Sequence, residues 1–240
     1  MMVEPKRLAK RLIEIIHCSR SEAEKYIEGG WVLVDGEVVD LPQFKVLDQK
    51  VELHGDATLE PTLPATIILN MPEMYDLESP DLAVKLITPE TRSPDDRTGI
   101  RTLKRHFARL LPTIPLQAGA TGLMVFTQDG RIAHRLQKND NKNEQEYIAQ
   151  VSEEIAPDGL EQLNEVMKRN AWSLPVAKVS WQNEDRLRFV LKNVQPGQIE
   201  FMCKEVGLTV EVLMRIRIGR VPMAKLQPGQ WRYLLDGKLF

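Results

Sequence analysis

Along this chain the spacing of apolar residues changes period, and that change limits the fold more than any single residue does. Leu8, Leu12, Ile15 and Ile16 recur at helical spacing, so this segment lays one apolar stripe against a core. Leu123-Met124-Val125-Phe126-Thr127 is instead an unbroken run ending in Gln128-Asp129-Gly130, the pattern of a buried strand and its turn. A chain that buries helix stripes and strands together is of mixed α and β class.

Boundary signals order these pieces. Ser19 stands three residues before Glu22, the capping-box spacing, which predicts a helix from Arg20 to Glu28 stopped by Gly29-Gly30. Trp31 to Val34, the turn Asp35-Gly36 and Glu37 to Val39 read as a hairpin, and Lys50 to Leu53 as another strand. Gly55 to Pro64 has the proline, glycine and small polar residues of a linker. The expected organisation is therefore a small domain over 1–54, a linker over 55–64 and a larger domain over 65–240. In the larger part the pattern predicts a strand over 66–70, an irregular stretch over 75–94 and a basic amphipathic helix over 99–111 stopped by Pro112. Helices over 131–138, 158–169 and 199–206 follow, with strands over 146–151, 177–181, 186–191 and 210–217.

At 240 residues and 42% hydrophobic content the chain can bury a core. No apolar run approaches the roughly 20 residues of a membrane span, and the segment MMVEPKRLAK lacks the apolar centre of a signal peptide, so a cytoplasmic protein is expected, without a membrane partner. Cys18 and Cys203 have no Cys or His companions at ligand spacing, so both are expected to be reduced, buried and apolar in role. Phosphate loops, metal-ligand clusters and serine elbows are absent from the sequence, and neither a metal nor a cofactor is expected. His17, His106 and His134 lack a carboxylate or serine at a suggestive spacing and read as surface or satisfied histidines. The net charge is −2, but polyanion binding follows local potential. Lys6-Arg7-Lys10-Arg11, Arg97-Arg101-Lys104-Arg105-Arg109 and Arg215-Arg217-Arg220 are the places where basic faces can form.

The order of residues at the N-terminus is more telling than the charge. Arg7-Leu8-x-Lys10-x-Leu12, Cys18-Ser19-Arg20-Ser21-Glu22-Ala23 and Ile27-x-x-Gly30-x-Val32-x-Val34-x-Gly36 together resemble the S4 RNA-binding domain over residues 6–53. The resemblance implies that Arg7, Lys10, Arg11, Ser19, Arg20 and Lys25 line a surface for structured RNA, read mainly through backbone and shape. Lys6 belongs to the same basic helix, and Arg101, Lys104 and Arg105 add a second candidate RNA-binding stretch.

The larger part resembles the RsuA-type branch of the pseudouridine synthases, which often place an S4 domain ahead of the catalytic one. Leu69-Asn70-Met71-Pro72 is similar to that family's Asn-Lys-Pro strand. Leu116-Gln117-Ala118-Gly119-Ala120-Thr121-Gly122-Leu123, running into Thr127-Gln128-Asp129-Gly130, is similar to Gly-Arg-Leu-Asp-x-x-Ser-x-Gly-Leu followed by Thr-Asn-Asp-Gly. Glu146-Tyr147, Gln198-Ile199-x-x-Met202, Arg215-Ile216-Arg217-Ile218-Gly219 and Leu226-x-x-Gly229-x-Trp231-Arg232-x-Leu234 complete the match over 66–235. The resemblance implies an α+β fold: a small S4-like helix-hairpin domain followed by a mixed, mainly antiparallel sheet domain. It also puts Gln117 at the aspartate position, Pro115 at the arginine position, and Tyr147 and Ile199 in the same degenerate site, with Gly197, Glu200 and Phe201 where arginines are usual.

Isomerising uridine requires detaching the base from C1′ and rejoining it through C5; the resemblance implies an aspartate that acts as nucleophile or base at the sugar, and a neutral carboxamide is neither. Asp129 occupies the turn after the strand and reads as a turn residue. The expectation is an RNA-binding protein of this family, without an intact catalytic site, partnered by ribosomal RNA. The alternatives are an active rRNA pseudouridine synthase with an atypical site and, more weakly, a module for an acidic protein partner.

Overall fold

A computed structural model gives the fold, describing residues 4–73, 80–138, 143–152, 157–169 and 177–235. The chain forms two compact units, one of residues 1–64 with 100–108 and one of 65–99 with 109–240.

In the first unit, β1 (Lys6–Arg7) leads into α1 (Leu8–Ile16), and α2 (Arg20–Glu28) follows. The capping box is present: Glu22 N–H donates to Ser19 Oγ at 3.2 Å, and Ser19 N–H donates to Glu22 Oε2 at 2.8 Å. β2 (Val32–Val34) and β3 (Glu37–Val38) form the hairpin, with Asp35 and Gly36 at φ 52° and 88°. Those positive values suit the twist of a two-residue turn. β4 (Lys45–Val46) pairs β1, and β5 (Val51–Leu53) pairs β2. Leu8, Leu12, Ala23, Ile27, Val32 and Val46 are buried together as the core, each large side chain contributing roughly 1.5–3 kcal/mol.

The expected helix over 99–111 does not form. Gly99 and Arg109 take φ 71° and 56°, and only a 3-10 turn at Lys104–Phe107 is helical. Tertiary partners outweigh propensity here. Arg101 Nη1 donates to Gly30 O at 2.5 Å with its guanidinium 4.3 Å from the Trp31 ring centre, and Lys104 N–H donates to Asp40 Oδ2 at 2.5 Å.

The second unit contains β6 (Thr66–Met71), α3 (Pro80–Lys85), β7 (Leu111–Pro112), β8 (Ala120–Thr127), α4 (Gly130–Lys138), β9 (Glu144–Ser152), α5 (Gly159–Arg169), β10 (Lys178–Trp181), β11 (Arg186–Lys192), α6 (Gln198–Lys204), β12 (Thr209–Ile218), β13 (Val221–Pro222) and β14 (Trp231–Tyr233). The strands make one sheet in the order β10-β11-β9-β12-β8-β6-β14, with β13 on β12 and β7 on β8. Only β12 and β8 pair parallel among the described strands, so the sheet is mixed and mainly antiparallel, as the resemblance implies. The stretch over 75–94 is less irregular than expected, holding α3 and a 3-10 turn at Pro89–Thr91, while 75–79 lie outside the described residues.

Gly122 lets the parallel strands approach. It sits at φ 97°, and a Cβ there would overlap the Arg215 carbonyl oxygen. Asn70 joins two motif segments: its Nδ2 donates to Leu226 O at 2.8 Å, and its carbonyl accepts from Gly229 N–H at 2.8 Å. One apolar core gathers Ile68, Leu123, Val125, Leu136, Ile218 and Leu226. Cys203 is buried, whereas Cys18, in the turn between α1 and α2, is only partly so and packs at the edge of the first unit's core.

Candidate functional site

The basic residues of the first unit divide by partner. Arg7, Lys10 and Arg20 line one hollow of ≈ 390 Å³ with Glu24 and Gln43. Arg20 pairs with Glu24 at 2.9 Å, while Lys6 and Arg11 turn to Glu14 at 2.9 and 3.5 Å. These five basic residues all remain exposed, where such pairs are weak and screened. Lys25 and Ser19 are exposed too, but the Ser19 hydroxyl is engaged in the cap. Arg101 is held by Gly30 and Trp31, Arg105 by Glu28 at 3.6 Å, and Lys104 is exposed.

The last basic cluster of the sequence is not a basic face. A β-bulge between Arg215 and Arg217 sets them opposite Tyr147 and Glu146, neighbours whose side chains leave β9 on opposite sides. Arg217 donates to Glu146 Oε2 and Glu144 Oε1, both at 2.6 Å, and Arg188 donates to Glu146 Oε1. Burial alone would raise the Glu146 carboxyl, but the hydrogen bonds from Arg188 and Arg217 outweigh it and hold it below the usual carboxylate range.

Arg215 is fully buried. Its Nε donates to Leu123 O at 2.9 Å, Nη2 to Ile114 O at 2.9 Å, and Nη1 to Pro115 O at 3.0 Å and Gln145 Oε1 at 3.1 Å. Tyr147, also buried, donates its hydroxyl to the same Gln145 oxygen at 2.9 Å. One guanidinium thus ties the Ile114–Pro115 backbone to the strand that carries Tyr147. Pattern reading missed this role of Arg215 and Gln145. A charged residue flanked by Leu213, Met214, Ile216 and Ile218 in a strand was the available signal, since such a charge must find internal partners.

Gln117 lies two residues beyond Pro115. Its carbonyl accepts from Ala120 N–H at 3.0 Å in a turn, and its Oε1 accepts from Gly197 N–H at 3.2 Å at the start of α6. Fixing the oxygen fixes the amide nitrogen, and Gln117 Nε2 is buried without a partner. Ile199, two residues beyond Gly197, is fully buried. Glu200 is the third helical residue, from which a glutamate often reaches back to the N-cap N–H; Gln117 holds that N–H, and Glu200 Oε2 is buried without a partner.

Two further reactive groups, Asp129 beyond the far end of β8 from Gln117 and Cys203 in α6, are engaged or neutral. Asp129 accepts from Arg131 N–H at 2.8 Å and Arg131 Nη2 at 3.0 Å, and the Arg131 side chain leads in holding its carboxyl below the usual range. It starts α4, as a turn residue does. Burial, then the charge of Glu200, push the Cys203 thiol up to about 12, so it is no thiolate nucleophile. Among the described residues no grouping of His, Cys, Asp and Glu could hold a metal ion, and no helix is long and apolar enough to cross a membrane.

Comparison with known proteins agrees with this architecture. Residues 16–51 match the family model of the S4 domain. A crystal structure of a pseudouridylate synthase superposes with a TM-score of 0.58 at 19% identity, covering 96% of both chains, which is a likeness of fold. The chain is 28% identical to the ribosomal small subunit pseudouridine synthase A of Vibrio parahaemolyticus, over 95% of each protein. It is 30% identical to an uncharacterized RNA pseudouridine synthase of Aquifex aeolicus, over 97% of this chain and 92% of that one. With its S4 domain, its mixed sheet and that identity along nearly the whole length of both proteins, the chain belongs to the RNA pseudouridine synthase family.

Proposed function

We propose that this chain is a noncatalytic RNA-binding member of its family, acting in the cytoplasm on ribosomal RNA or its assembly and using the synthase scaffold as a docking platform. The observation that carries the reading is Gln117. Its carboxamide is locked by the Gly197 N–H at 3.2 Å, it has no charge to stabilise a positive sugar carbon, and it offers no basic oxygen near neutrality. The guanidinium nearest the Pro115 backbone, Arg215, donates to carbonyl oxygens and Gln145, none of them a carboxylate. The hollow shared by Arg7, Lys10 and Arg20 supports the binding half of the reading, because cations gathered on one exposed surface neutralise phosphates. The name of the Vibrio relative supports ribosomal RNA as the partner.

A second reading is favoured by Glu200. A buried, unpartnered carboxylate oxygen one helical turn from the Gln117 contact is the kind of group that could replace a lost aspartate. The experiment that separates the two incubates purified protein with ribosomal RNA and maps pseudouridine by carbodiimide labelling. The expected outcome is binding without pseudouridine, for the natural protein and for Gln117→Asp alone. The new aspartate would have no free guanidinium to orient it, since Pro115 stands at the arginine position. Pseudouridine formed by the natural protein and lost in Glu200→Gln would establish the second reading instead.

A further inference from the structure

The two faces of α4 answer different demands. Ala133 and Leu136 are buried and Ile132 packs against the core. Arg131, His134, Arg135 and Lys138 are exposed and follow the i, i+3, i+4, i+7 positions of one stripe. With Gly130 they line an open hollow of ≈ 620 Å³, and at 1.5 Å per residue the stripe runs for roughly 10 Å.

Arg135 and Lys138 stand in the last turn, where the helix dipole favours cations, but the spacing along the stripe sets like charges beside one another. Arg131 and Arg135 are four residues apart, and Arg135 and Lys138 three, spacings at which like charges repel. Arg131 also stands at the positive end of the helix dipole, compensated by Asp129 at 3.0 Å. Among the described residues no carboxylate pairs with Arg135 or Lys138. The stripe also lacks an apolar or aromatic side chain of the sort that anchors the centre of a protein interface. Its fork-shaped guanidinium donors, with an imidazole and an ammonium, fit a line of phosphate oxygens.

We infer that the exposed face of α4 is a second RNA-binding surface, one that follows the phosphate backbone irrespective of sequence. The inference rests on the RNA-binding reading above and assigns it a site outside the S4 domain. Anisotropy of a fluorescein-labelled RNA stem-loop, at low and moderate salt, tests it on the full chain with three proteins: the natural one, Lys10→Glu/Arg11→Glu and Arg135→Glu/Lys138→Glu. The α4 variant should bind on the order of tenfold more weakly at low salt, with the slope of log affinity against log salt reduced by about 2. Its melting temperature should fall by no more than a few degrees, because the carboxylate introduced one helical turn from Arg131 offsets part of the loss of two cations from the last turn; Arg135→Gln/Lys138→Gln, which only removes charge, should lose affinity in the same direction. Unchanged affinity and slope in both α4 variants, beside weakened binding by the Lys10/Arg11 variant, would overturn the α4 site and leave the RNA-binding reading standing. A natural protein that binds no RNA would overturn both. Displacement of the labelled RNA by polyglutamate as readily as by unlabelled RNA would also sink the proposal, in favour of an acidic protein partner.

Discussion

Arg215 shows how much one residue can organise. Its four hydrogen bonds reach Leu123, Ile114, Pro115 and Gln145, and Gln145 passes the connection to Tyr147. A buried charge with its partners in place is tolerated, whereas removing one side of such a network leaves the rest desolvated. Arg215→Leu should therefore cost on the order of 3–5 kcal/mol of unfolding free energy. Arg215→Lys should recover only part, since an ammonium cannot reproduce the planar fork. Urea titration followed by tryptophan fluorescence measures both, and a loss below about 1 kcal/mol in the leucine variant would mean that the network is not what holds these segments.

At the scale of elements, α2 separates structure from recognition. Ser19 belongs to the surface that the S4 resemblance assigns to RNA, yet its hydroxyl accepts the Glu22 N–H and its own N–H is held by the Glu22 carboxylate. The bond from the Ser19 N–H also keeps the Glu22 carboxyl below its usual range. Ser19→Ala should cost about 1 kcal/mol of stability through the lost cap, with little change in RNA affinity once the protein is folded. Ser19→Asp should retain the cap. A strong affinity loss in Ser19→Ala at unchanged stability would instead make the hydroxyl an RNA contact. Chemical denaturation beside the anisotropy assay resolves the two.

Across the whole molecule, acidic pH removes support from two buried carboxylates of the sheet unit. Burial alone would raise Asp96, but hydrogen bonds from Thr98 and Tyr233 N–H, with the Arg92 charge, hold it below its usual range, and Glu146 is held low by Arg188 and Arg217 against its own desolvation. A carboxyl whose folded value is depressed stabilises the protein above its unfolded value, roughly pH 4, and loses that contribution as pH falls through the folded value. The urea midpoint should accordingly be flat near neutrality and fall below about pH 4. Glu146→Gln should lower the neutral midpoint and flatten the acid slope. An unaltered slope in that variant would assign acid sensitivity to other groups.

Features encoded locally, or in an ordered run of motifs, were legible from the residues alone. The Ser19/Glu22 spacing set the start of α2, Asp35-Gly36 set the hairpin after it because a two-residue turn requires positive φ, and the short apolar run at 123–127, closed by the turn Gln128-Asp129-Gly130, read as the buried strand it forms. The motif order carried the family and singled out Gln117, since a change from carboxylate to carboxamide is visible in one letter. Other features came from contacts between distant segments. The segment 99–111 has helical spacing and basic charge, but the Gly30 carbonyl, the Trp31 ring and Asp40 offered its side chains and backbone better partners than helical hydrogen bonds did. Arg215 and Arg217 look alike in the sequence, two residues apart on one strand, and a single bulge sends one into the core and the other to a pair of glutamates. Periodicity assumes that every residue advances the strand equally, and a bulge breaks that assumption through contacts that exist only once the neighbouring strands are in place.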